Sequence, residues 1–195
     1  FDPTGPGECA ETLKRARAAF QSGRTANECF RLAQLNAVIR LVLEHECDFV
    51  ESLGRDLHKP RFETVVSELI LVKNEALYAI NNLRKWMEPQ RVEKNLSTAL
   101  DECMVVSEPL GTVLILRSWA CPVQLCTDRN CVVISPSEHC THTAELLHRL
   151  LPSYLDNVSA NFFKRSCPNL WLMYTAQQYS VSLLLIRSSI LSLLP

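Results

Sequence analysis

A cysteine attacks only as its thiolate, so the first residues to weigh are Cys121 and Cys126 in "RSWACPVQLCTDR". A thiol needs a nearby cation or helix N-terminus to ionise near neutral pH, and Arg117 and Arg129 are the nearest cations in the chain. The simpler reading is a bystander thiol, since free cysteine usually behaves as a small core hydrophobe. A metal is the second chemistry. Cys131, His139, Cys140 and His142 in "CVVISPSEHCTH" are all zinc-type ligands. Their spacing matches no CxxC pair, and His139 and Cys140 are adjacent and cannot easily both turn inward, so no metal site is expected. His139, His142 and His148 are expected on the solvated side of a helix. Phosphate binding is the third. Loops that cradle phosphates need glycine for positive φ and close backbone approach. The five glycines stand at positions 5, 7, 23, 54 and 111, so residues 112–195 hold neither a GxGxxG nor a P-loop.

Helices and strands must hold any such site. The 195 residues suffice for one domain, and 47% of them are apolar. Residues 1–108 carry 14 basic and 17 acidic side chains, whereas 109–195 carry 6 and 4. The first part therefore reads as charged amphipathic helices and the second as buried strands. After a loose "FDPTGPG" arm, a helix is expected from Glu8 to Gln21, with Gly23 as its stop. Leu35, Val38, Ile39, Val42, Leu43, Cys47, Val50 and Leu53 recur at helical spacing, giving one long helix or two with a break near His45. Gly54 is expected to close it. "DLHKP" turns, because Pro60 keeps Lys59 out of the helical region. A third stripe runs through Val66, Leu69, Ile70, Leu77, Ile80 and Leu83 to Trp86, interrupted by Lys73, and Pro89 ends it. "STALDECMVVSEP" suggests an extended, hairpin-like segment. "GTVLILR" and "NCVVISP" are apolar on both faces, which suits a parallel sheet covered by helices. Between them, Ser118–Arg129 is near the dozen-residue minimum for a parallel crossover. "HTAELLHRLLPSYL" reads as a further helix. Residues 157–195 show no clean period; "SVSLLLIRSSILSLLP" is short of the ~20 residues a membrane helix needs.

The motifs "AFQSGRT", "FRLAQL", "DLHKPRFETVVSEL", "NNLRKWM", "VEKNLSTALD" and "EPLGTVLIL" occur in one order that resembles the start of class 3 aldehyde dehydrogenases, nearest in wording to the B type. The resemblance covers about residues 5–156. It implies an α/β fold: N-terminal helices over 1–95, part of an oligomerisation hairpin over 96–108, and an incomplete Rossmann-like NAD(P)-binding domain over 109–156. Residues 157–195 form a divergent, unassigned tail that resembles sequence from outside the family's frame.

The family oxidises medium- and long-chain aldehydes to carboxylic acids with NAD or NADP, through a cysteine thiolate and an oxyanion hole partly made by an asparagine side chain. The resemblance carries over residue by residue. Leu116, Trp119, Ser135, Pro136 and Glu138 fall where the family meets its cofactor. The family's Pro-Trp-Asn-Tyr-Pro turn reads Ser118-Trp119-Ala120-Cys121-Pro122, so Ala120 stands where the oxyanion asparagine would be. Its methyl cannot donate. The family's Lys-Pro-Ser-Glu reads Ser135-Pro136-Ser137-Glu138; Glu138 can accept from ribose hydroxyls, and Ser135 lacks the lysine's charge. No motif of the general base or the nucleophilic cysteine follows.

The expectation is thus a truncated family member, inactive as this chain, with weak or absent NAD binding. The alternative is a non-catalytic relic or pseudogene product that acts, if at all, as an interaction module. The family's partners are an aldehyde and a second subunit, through the hairpin. The near balance of 20 basic and 21 acidic residues, and Glu8 and Glu11 beside "LKRAR", argue against nucleic acid. Nine cysteines with no secretory signal before them fit reduced thiols in a cytoplasmic protein, and no lipid anchor is expected.

Overall fold

The computed structural model describes residues 6–93, 102–116, 123 and 130–163. Helix α1, Pro6–Gln21, stops at Gly23, whose φ of 71° provides the left-handed turn. Helix α2, Glu28–Glu44, starts at Asn27, whose side chain accepts from the Cys29 N–H at 2.8 Å. His45 breaks the next apolar run, and α3 follows over Glu46–Leu57. Helix α4, Arg61–Thr64, passes through a π-turn, Val65–Leu69, into α5, Ile70–Met87. Strand β1, Gln90–Arg91, pairs antiparallel with β2, Met104–Val105. Strands β3, Thr112–Leu116, and β4, Cys131–Ser135, lead to helix α6, Thr141–Tyr154, and strand β5, Ala160–Phe162.

Strands β3, β4 and β5 form one parallel sheet in that order. Its two faces explain why β3 and β4 are apolar over Val113–Leu116 and Cys131–Ile134. Leu114, Cys131 and Val133 point to one side and pack with Cys9, Leu13, Ala16 and Ala19 of α1. Val113, Ile115, Val132 and Ile134 point to the other and join Val38, Leu41, Phe49, Leu53 and Leu147. Helices therefore cover both faces, as a parallel sheet requires. Gly111 opens β3 at φ 112°; its N–H donates to the Asn130 side chain at 3.0 Å, and its carbonyl accepts from Cys131 N at 3.0 Å. The chain is thus clipped where the two strands begin.

Three sequence expectations meet a different outcome. Gly54 does not end α3. The helix runs to Leu57, and the left-handed residue is His58, φ 53°, whose N–H donates to the Gly54 carbonyl at 3.1 Å. Glycine in the last turn marked the end only approximately, because its carbonyl rather than its φ is what the cap uses. Of the expected stripe, Leu69 and Leu83 are buried, but Val66, Ile70, Leu77 and Trp86 face outward, at 39–43% exposure; Val72 and Ala76, outside that stripe, are buried in their place. The π-turn inserts a residue and rotates the face that follows it. Finally, β5 lies beyond residue 156. Its three residues are too few to show a period, and Asn161 interrupts them. The extended reading of "STALDECMVVSEP" holds at Met104–Val105.

Candidate functional site

Ligands of open α/β sheets bind at the carboxyl ends of parallel strands. Here the register pairs Leu116 with Ser135, so β3 and β4 end side by side. Leu116 is half-buried and packs against the α1 side of the sheet. Ser135 is buried within β4, and Pro136 after it is buried too. The chain then surfaces: the Glu138 side chain is 75% exposed, with His139 Nε2 3.8 Å from its carboxylate. At that exposure the pair is worth little. Glu138 therefore presents an available acceptor just past the strand end. Ser137 shapes the turn around it, since its Oγ accepts from His139 N at 3.3 Å and its carbonyl from Cys140 N at 3.3 Å.

The structure thus brings Leu116, Ser135, Pro136 and Glu138 to one rim. Trp119 and Ala120 lie outside the described residues, as do Cys121, Cys126, Arg117 and Arg129. The zinc-type residues do not converge. Cys131 sits at the start of β4 and Cys140 at the head of α6, with the whole strand between them. Among the described residues, no group of three or more His, Cys, Asp or Glu is placed to hold a metal. Burial, then the Asp156 charge, pushes the Cys131 thiol up to about 11, the reverse of what a nucleophile needs.

Sequence reasoning passed over Asp56. It reaches from α3 to the first turn of α6 with a side chain only 2% exposed. Its carboxylate accepts from His142 N at 3.0 Å, Thr143 N at 2.8 Å and Thr143 Oγ1 at 2.7 Å, and lies 2.8 Å from His142 Nδ1. Burial alone would raise its pKa, but the donors from Thr143 and His142 outweigh that, and the carboxyl is held below its ordinary value. The legible signal was an omission. Cys140 at the head of α6 has no capping side chain, so a cap from elsewhere was required.

Residues 4–155 match the sequence profile of the aldehyde dehydrogenase family. The chain belongs to the aldehyde dehydrogenase family. Its relatives include aldehyde dehydrogenase family 3 member B1 of Bos taurus, 44% identical over 155 residues that cover 75% of this chain and 33% of the relative. The Homo sapiens member B1 is 40% identical over 164 residues, 80% and 34% of the two chains. The Canis lupus familiaris "aldehyde dehydrogenase, dimeric NADP-preferring" is 41% identical over 155 residues, 75% and 34%. The chain spans about a third of the length of the curated relatives it matches.

Among solved structures, the substrate-bound state of Staphylococcus aureus AldH superposes with a TM-score of 0.78 at 23% identity, over 85% of this chain and 38% of that one. Succinic semialdehyde dehydrogenase from Streptococcus pyogenes, in complex with NADP+, gives 0.75 at 17%, over 94% and 42%. At these identities the likeness speaks for the fold. The rim at the ends of β3 and β4 thus belongs to an aldehyde dehydrogenase fold. Among the described residues, no helix is long and apolar enough to cross a membrane.

Proposed function

We propose that the chain carries the N-terminal helices and the first cofactor-domain strands of an NAD(P)-dependent enzyme that oxidises medium- or long-chain aldehydes to carboxylic acids, and that these 195 residues do not turn over aldehyde themselves. The observation that carries the cofactor reading is the parallel register that sets Leu116 beside Ser135, with exposed Glu138 just beyond. A carboxylate there can accept from both hydroxyls of a ribose. Ser135 brings no charge to an additional phosphate, so the rim fits a ribose better than a phosphoribose. A bound nicotinamide supplies the hydride acceptor; the residues here would only seat its adenine-side ribose.

Ala120 supports inactivity: it stands where an oxyanion donor is needed, and loss of one such donor costs ~10²–10³ in turnover. NAD binding is expected to be weak, because residues 112–195 hold no glycine for a phosphate-cradling turn. Titration of NAD against tryptophan fluorescence tests this. The expected result is no saturable quenching below about millimolar NAD. Saturable micromolar quenching, lost in Trp119→Phe, contradicts it.

A second reading, an interaction module without catalysis, draws on the outward apolar stripe of Val66, Ile70 and Leu77 and the neighbouring Tyr78, 64% exposed. Dimerisation of the kind the family uses would run through the β1–β2 ribbon. Sedimentation velocity separates the two surfaces. A dimer abolished by Val105→Lys but not by Leu77→Lys assigns the contact to the ribbon.

A further inference from the structure

We propose that Asp56 is a positioning residue for the cofactor-side loop, residues 136–140: reaching across from α3, it caps α6 and so fixes where Glu138 stands. The proposal rests on the cofactor reading for the ligand, and on the geometry below for the loop.

Helix α6 cannot fix its own start. Cys140 precedes it at φ −122°, ψ 61° and gives no side-chain bond to the first turn. Those N–H groups need an acceptor, and a side chain from another helix supplies it. Asp56 takes His142 N and Thr143 N on separate oxygens and adds Thr143 Oγ1 and His142 Nδ1. A negative charge at a helix N-terminus also complements the dipole. Ser52, one turn earlier on α3, has its Oγ 3.4 Å from Thr143 Oγ1 and marks the same spot.

The loop has little slack. Strand β4 is hydrogen-bonded on both sides, to β3 and β5, up to its last residues. Five residues then reach Thr141. With β4 fixed by the sheet and α6 fixed by Asp56, the carboxylate of Glu138 is presented from a loop held at both ends. General packing of α3 on α6 does not depend on Asp56. Phe49 and Leu53 of α3 and Leu146, Leu147 and Leu151 of α6 share the buried core. Removal of the carboxylate should therefore loosen the loop and first turn while the helices stay packed.

Two measurements on the full 195-residue chain test this. The first is amide hydrogen exchange in wild type, Asp56→Asn and Asp56→Ala. Exchange at His142 and Thr143 is expected to rise about ten-fold in Asp56→Ala, the factor that accompanies loss of a helix cap, with β4 and the middle of α3 unchanged. Unchanged exchange at 142–143, or equal loosening of β4 and α3, overturns the proposal. Should Asp56→Ala unfold, Thr143→Val serves instead: it removes one contact, keeps the shape, and must show a smaller loosening at the same place.

The second measurement is equilibrium dialysis with NAD and with its analogue lacking the adenine-side 2′-hydroxyl. General destabilisation weakens both ligands alike, so their affinity ratio reports how Glu138 meets the ribose. The ratio is expected to fall towards one in Asp56→Asn, as it does in Glu138→Gln. A ratio that collapses in Glu138→Gln but stays intact in Asp56→Asn overturns the proposal. Wild-type protein with no ribose preference overturns the cofactor reading instead, and the exchange measurement still decides what Asp56 does.

Discussion

Asp56 and Cys131 show how burial acts on two titratable groups with opposite results. Asp56 is buried among donors, and its carboxyl is held below the usual range. Its folded value lies under the unfolded one, so it stabilises the protein above the unfolded carboxylate value of ~3.9, and that contribution is lost as pH falls through the folded value. Urea midpoints measured at descending acid pH should drop more steeply in wild type than in Asp56→Asn; parallel curves would contradict the cap. Cys131 is buried and feels the Asp156 charge, and its thiol rises to about 11. Cys29 and Cys47 are exposed. Iodoacetamide near pH 8 should modify those two readily and leave Cys131 unmodified until the protein unfolds, as read by peptide mass spectrometry. The sequence alone showed the rim residues Ser135, Pro136 and Glu138 as a motif. It did not show Asp56, which lies more than 80 positions from the amides it holds. Such a partner is set by tertiary packing and leaves no local spacing to read.

Among the elements, the legible features were those with local causes. The left-handed Gly23 and the break at His45 both sit where residue type predicts them. The break is also tied down from a distance. His45 Nδ1 lies 2.7 Å from Asp48, its Nε2 lies 3.1 Å from the Tyr154 hydroxyl, and that hydroxyl donates to Glu44. Helix α3 therefore holds α6 near both ends, by Asp56 and by this cluster. The π-turn was not legible, because a single inserted residue shifts the period without changing its length. The buried pair of Lys59 and Glu68, 2.7 Å apart, braces that turn.

The α3 end gives a direct prediction. His58 holds a left-handed conformation that glycine adopts without strain. His58→Gly should therefore stabilise the protein by about 1 kcal/mol, read as a rise in denaturation midpoint. Gly54 lies within α3, and a Cβ there meets only the Lys59 carbonyl at 3.9 Å. Gly54→Ala should stabilise by roughly 0.5–1 kcal/mol. Destabilisation by Gly54→Ala would restore Gly54 as the helix stop.

At the scale of the whole molecule, the described residues form a three-stranded parallel sheet with helices on both faces and a two-stranded antiparallel ribbon, and the chain spans about a third of the length of its curated relatives. Fold class was readable because β3 and β4 are near-continuous apolar runs, Val113–Leu116 and Cys131–Ile134, a pattern that suits a sheet covered on both faces. Function was readable through motif order and not through composition. The described residues supply the ends of two parallel strands, an exposed carboxylate at Glu138 and a capped helix. The most direct test is NAD(P)H formation by the purified 195-residue chain with a long-chain aldehyde and either cofactor. The predicted rate equals that of a protein-free blank. Turnover that depends on the chain, and disappears when its cysteines are blocked, would contradict the account.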